Sequence, residues 1–157
     1  MVHHVMALSI LMIVHGAIIT LCGLGAGALA FAVPAILKAQ AGMPQQPGMP
    51  AQPMPPQMEG FLLAIYGGAG VVLLSAGILG IWGGIRIMKF RGHTFGIVTL
   101  SAGLLAIFGC YCAPTAIGLF IYGLIVLLNP PVKQAFAMGE QGRTPDEIRN
   151  HFARLPY

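Results

Sequence analysis

Three long stretches of this chain contain no Asp, Glu, Lys or Arg: Met1 to Leu37, Phe61 to Ile85, and Gly92 to Asn129. Runs of about 18 or more apolar residues read as membrane-spanning helices, because the hydrocarbon core is roughly 30 Å thick. Only 8% of the 157 residues are charged and 57% are apolar, whereas about a quarter of a soluble domain is charged. So few charges cannot cover a water-exposed globule of this size. Lipid has to cover the rest.

The expected architecture is an all-α integral membrane protein with four spans over residues 5–37, 60–88, 94–111 and 115–128. Residues 1–129 form the four-helix membrane domain, and residues 38–59 its exported Pro/Met-rich loop. Residues 130–157 form a cytoplasmic tail with a short amphipathic helix. The first two spans exceed the bilayer and must tilt or project. "ALAFA" looks like a signal-peptide cleavage site, but the apolar run before it is too long and lacks a basic head. The first span is therefore read as a helix of the mature protein.

Lys and Arg in short loops collect on the cytoplasmic side. Arg86, Lys89, Arg91, Lys133, Arg143, Arg149 and Arg154 fall on one side of this arrangement and only Lys38 on the other. Both termini are expected to be cytoplasmic. The sequence pI of about 9.3 then follows from topology and from anionic lipid. No basic stretch with interleaved aromatics points to nucleic acid.

Spanning helices associate through close packing of small residues, since lipid is as apolar as Leu. Gly16, Gly23 and Gly27 on the first helix, Gly70, Gly77, Gly80 and Gly84 on the second, and Gly96 and Gly103 on the third fall at spacings of three, four or seven. A seven-residue repeat keeps one seam facing a neighbour along a left-handed crossing. Gly67, Gly68 and Gly83 lie off the main seam, which argues for a contact with other copies or another subunit.

The loop nearly repeats "GMPQQP" as "GMPAQP". In a polyproline II course its twenty residues could reach about 60 Å, far more than closure needs. Thioether sulfur suits Cu(I), which makes Met43 and Met49 metal candidates. However, Met43, Met49 and Met58 would stand about 19 and 28 Å apart along that course, so an adaptable contact surface is preferred. With Met1 removed, His3 could chelate Cu(II) or Ni(II).

His15 is an ionisable group at membrane depth, which makes it a functional hypothesis by default. It could ligate a pigment metal axially, or its neutral ring could bond a Ser, Thr or carbonyl across a seam. Cys110 and Cys112 flank Tyr111 in an outward turn where a disulfide is permitted, and a structural use is preferred for them. In the tail, "TPDEIRNHFAR" reads as a helix capped by Thr144 and Glu147. Its apolar stripe of Ile148, Phe152 and Leu155 is expected to meet a membrane surface or a partner. No carboxylate lies within a span, so acidic proton relays are not expected.

From Gly83 to Phe136 the chain resembles a widespread group of four-span bacterial membrane proteins of uncharacterised function. The shared parts are the basic loop Arg86 to Arg91, the turn "GCYCAP", and Pro130, Val132, Lys133, Ala135 and Phe136. Pro131 stands where that group carries an acidic residue, and Tyr122 where it often has Trp. The resemblance implies four spans in a bacterial inner membrane and no particular activity. The expected role is an accessory or scaffold subunit, without catalysis or cofactor, that contacts lipid and other membrane subunits or copies of itself. A homo-oligomeric pore and a pigment- or metal-binding subunit using His15 are the alternatives.

Overall fold

The computed structural model describes residues 2–41, 55–104 and 113–153. Among them every regular element is a helix: α1 Val2–Ala41, α2 Pro56–Met88, α3 His93–Gly103, α4 Ala113–Leu128, α5 Pro130–Glu140 and α6 Pro145–Ala153. α1 and α2 are long and apolar enough to cross a membrane, and α4 with α5 becomes a third candidate if that bent pair counts as one span.

α1 and α2 form an antiparallel hairpin whose contact follows the heptad of small residues. Ser9, Gly16 and Gly23 descend α1 in steps of seven and meet Gly84, Gly77 and Gly70 on α2. A Cβ at Gly16 would stand 2.8 Å from the Gly77 carbonyl oxygen, and one at Gly84 would stand 2.9 Å from that of Ser9. One at Gly23 would lie 2.7 Å from the Leu74 amide nitrogen, and one at Gly70 would lie 3.0 Å from that of Gly27. Backbones this close at Gly16, Gly23 and Gly84 leave no room for a side chain, whereas a Cβ at Gly80 would stand 3.4 Å from the Gly16 Cα, an ordinary contact. At the far end Lys38 Nζ donates to Glu59 Oε1 at 2.6 Å.

The hairpin is longer than the sequence suggests. α1 runs through Pro34 to Ala41, and α2 starts at Pro56. Residues 38–41 and 56–59, including Met58, are therefore helical and not loop. Proline suits a helix's first turn, where its missing N–H costs nothing.

α3 packs on α2 through Gly83, where a Cβ would collide with Thr99. That corrects the intermolecular reading of Gly83. Thr99 is buried and its hydroxyl donates to the Gly96 carbonyl. Gly96 faces Ile87 and Leu127, and Gly123 of α4 faces Leu100. A methyl added at Gly27, Gly67, Gly68 or Gly103 would meet no described atom within 4 Å. At Gly103 the expected seam contact is therefore not formed by the described residues.

The core lies at one end. Val5, Leu8, Ile87, Phe90, Leu100, Leu127, Val132, Phe136, Ile148 and Phe152 form one buried cluster with contributions from all six of these helices. Pro130 and Pro131 end α4, and α5 leaves at 73° to it. α5 carries Val132, Ala135 and Phe136 into that cluster. The double proline in "NPPVKQAF" signals the end of a helix, and a second helix starts at once.

Candidate functional site

Between α1 and α4 lies an apolar groove of about 510 Å³ lined by Leu11, His15, Ile18, Thr115, Leu119 and Tyr122, among others. His15 also borders a small void of about 20 Å³ towards Gly16, Gly80 and Thr99. Its Nε2 is buried and has no hydrogen-bond partner among the described residues. The expected bond to a Ser, Thr or carbonyl is thus not made by that nitrogen. A lone imidazole in an apolar groove can exchange one hydrogen bond or supply one axial ligand. It cannot hold a metal by itself, and no group of three His, Cys, Asp or Glu gathers among the described residues. Cys22, two turns on, is exposed and free.

Two other histidines join separate helices. His4 Nδ1 and the Tyr122 hydroxyl share a 3.0 Å hydrogen bond, joining the start of α1 to α4. His93 Nε2 donates to the Leu127 carbonyl oxygen at 2.8 Å. In a continuing helix that oxygen would accept the N–H four residues on, but position 131 is proline and has none. The His93 ring, set edge-on to Phe136 at 5.3 Å, supplies the missing donor. The signal was a double proline at a helix end, which leaves orphan carbonyls to be satisfied.

A second site sits where α2 meets α3. Phe90 is only 4% exposed and adopts φ 51°, a left-handed conformation that costs a residue bearing a Cβ about 1–2 kcal/mol. It is held there by packing. Its ring meets Phe136 edge-on at 5.9 Å, and the α5 backbone approaches so closely that a Cβ at Gly139 would collide with Phe90. The flanking Lys89 and Arg91 remain exposed. One turn earlier the Arg86 guanidinium lies 4.7 Å from the Trp82 ring and 5.1 Å from that of Phe95. Cation–π contacts of this kind contribute about 0.5–1 kcal/mol at exposed sites. The Trp82–Arg86 spacing of four residues was a legible sign of this pair.

The tail behaves differently from its expectation. Thr144 and Glu147 form the reciprocal cap, with Thr144 N–H donating to Glu147 Oε2 at 3.0 Å and Glu147 N–H to Thr144 Oγ1 at 3.3 Å. Ile148 and Phe152, however, are buried in the chain's own core. Ile148 and Phe152 are satisfied internally, and those two side chains do not face a partner or a membrane surface. Leu155 lies outside the described residues, as do Met43, Met49, Cys110 and Cys112. His3 lies in α1, with its side chain outside the described set.

Comparison with protein-family models, with curated proteins and with solved structures found no match.

Proposed function

We propose that this chain is a four-span protein of a bacterial inner membrane, with both termini cytoplasmic, that serves as an accessory or scaffold subunit of a larger assembly. The observation that carries the reading is the reach and exposure of the α1–α2 hairpin. The apolar stretch of α1 covers 36 residues, about 54 Å at 1.5 Å per residue. Tilted by as much as about 40°, it would still extend about 41 Å along the membrane normal, against roughly 30 Å of hydrocarbon.

On this reading the surplus lies at the end away from the core. There Phe31 is 75% exposed and Phe61 is 64% exposed, accompanied by Ile36, Met58, Leu63 and Ile65. Nothing described in this chain covers them. Large apolar side chains raised beyond the hydrocarbon call for a protein neighbour, since exposed apolar patches mark interaction sites. Gly67 and Gly68, open on the same half of α2, would allow a neighbouring helix to come close.

The orientation is supported by which residues meet. The beginnings of α1 and α3, the ends of α2 and α4, and α5 and α6 converge on one core. Six of the eight basic residues belong to that end or its adjoining turns, and Lys38 to the other. The positive-inside rule then places the core end in the cytoplasm.

The test is photo-crosslinking in intact membranes from benzoylphenylalanine at positions 31 and 61, with position 125 on α4 as a lipid-facing control. We expect discrete protein adducts from 31 and 61, and mass spectrometry then distinguishes a partner subunit from a second copy. Lipid adducts alone at all three positions would remove the scaffold reading.

A further inference from the structure

We propose that the recess bounded by Trp82, Ile85, Arg86, Lys89 and Arg91 binds the headgroup phosphate of an anionic phospholipid. The inference rests on the membrane reading above and assigns that surface a specific ligand class. The recess has a volume of about 360 Å³ and is lined by those five residues. Three cations gather there, and the nearest carboxylate, that of Asp146 across an adjoining cleft from Lys89, is engaged by Arg149. Glu59 pairs with Lys38, Asp146 pairs with Arg149, and Glu147 caps α6, and no ion pair reaches Arg86, Lys89 or Arg91 among the described residues.

The cations are also positioned. Arg86 is steered by its contacts with the Trp82 and Phe95 rings, themselves 5.0 Å apart and edge-on. Buried Phe90, locked in its left-handed turn against Phe136 and Gly139, fixes Lys89 and Arg91 on either side. A planar guanidinium suits phosphate oxygens, while Lys acts as a point charge.

The adjoining surface selects a lipid over a free anion. Val71, Ile78 and Ile85 recur every seven residues along α2 and are 68%, 58% and 41% exposed. Together with Trp82 they form an apolar stripe that ends at the three cations. An acyl chain along the stripe would leave its phosphate at Arg86. Trp is also a common residue at headgroup level.

Trp82 is the only tryptophan in the chain, so its fluorescence reports on this recess directly. The full-length protein would be reconstituted into phosphatidylcholine bilayers containing either brominated phosphatidylglycerol or brominated phosphatidylcholine at equal mole fraction. We expect the anionic quencher to be favoured at Trp82 by about fivefold or more, the factor that corresponds to roughly 1 kcal/mol per basic residue near an anionic surface. Combined R86Q, K89Q and R91Q should abolish the preference. R86K should retain part of it, and K133Q with R143Q should leave it unchanged. The wild-type ratio decides the matter even if the triple variant fails to fold.

Equal quenching by both lipids overturns the headgroup site and leaves membrane insertion standing. Quenching by neither overturns insertion itself. Loss of the preference on adding millimolar inorganic phosphate at constant ionic strength overturns the lipid assignment in favour of a free-anion site.

Discussion

His93 shows how one side chain can close a gap that the backbone leaves. Its Nε2–H meets the Leu127 carbonyl that Pro131 cannot serve, at the junction where α4 gives way to α5. Replacing His93 with Ala would strand that acceptor, at a cost of about 1–3 kcal/mol. The expected outcome is a lower midpoint when the purified protein is titrated from mild detergent into dodecyl sulfate, with Trp82 emission as the readout. His93→Asn should recover part of the loss if its amide reaches the same oxygen. A midpoint unchanged in His93→Ala would mean that the carbonyl is satisfied elsewhere. The identity of this donor was not legible in the sequence. The double proline announces a carbonyl without a partner, but 34 residues separate it from the histidine and only the fold brings them together. His15 is the opposite case. Its place within an apolar span was readable, and the fold then left its Nε2 without a partner among the described residues.

At the scale of the element, the α1–α2 hairpin was the most legible part of the molecule. Side chains seven apart fall on one helix face, so the matching ladders of Ser9, Gly16, Gly23 and Gly70, Gly77, Gly84 announce their own pairing. α5 was illegible for a physical reason. Asn129, Pro130 and Pro131 signal a chain reversal, yet prolines in a helix's first turn are equally well tolerated. Only burial of Val132, Ala135 and Phe136 decides for helix. Element packing also yields a contrast between two glycines of α2. A methyl at Gly77 would collide with Thr20 and stand 2.8 Å from the Gly16 carbonyl oxygen, whereas one at Gly68 meets nothing within 4 Å. Gly77→Ala should destabilise by about 1–3 kcal/mol as the helices are forced apart. Gly68→Ala should be neutral or stabilising by up to about 1 kcal/mol through helix propensity. The same detergent titration compares them, and equal losses at both sites would refute the glycine ladder as the basis of the pairing.

For the molecule as a whole, the asymmetry of packing matters more than any single contact. One end gathers parts of six helices into a core, and among the described residues the other is a two-helix rod joined by Lys38 and Glu59. Burial of large side chains is therefore concentrated at the basic end, and the exposed Phe31 and Phe61 lie at the other. An isolated soluble protein would have no use for such an asymmetry. The proposed orientation, with the core end at the cytoplasmic surface and the rod reaching through the bilayer, would account for both the charge bias and the exposed aromatics. The proposal also says which ends share a side. Gln57, exposed at the start of α2, and Glu140, exposed at the end of α5, should lie on opposite faces of the membrane. In a background with Cys22, Cys110 and Cys112 replaced by Ala, Gln57→Cys should react with a membrane-impermeant maleimide on spheroplasts. Glu140→Cys should react only after permeabilisation. If both label from the outside, the hairpin does not cross the membrane, and the exposure of Phe31 and Phe61 needs another explanation.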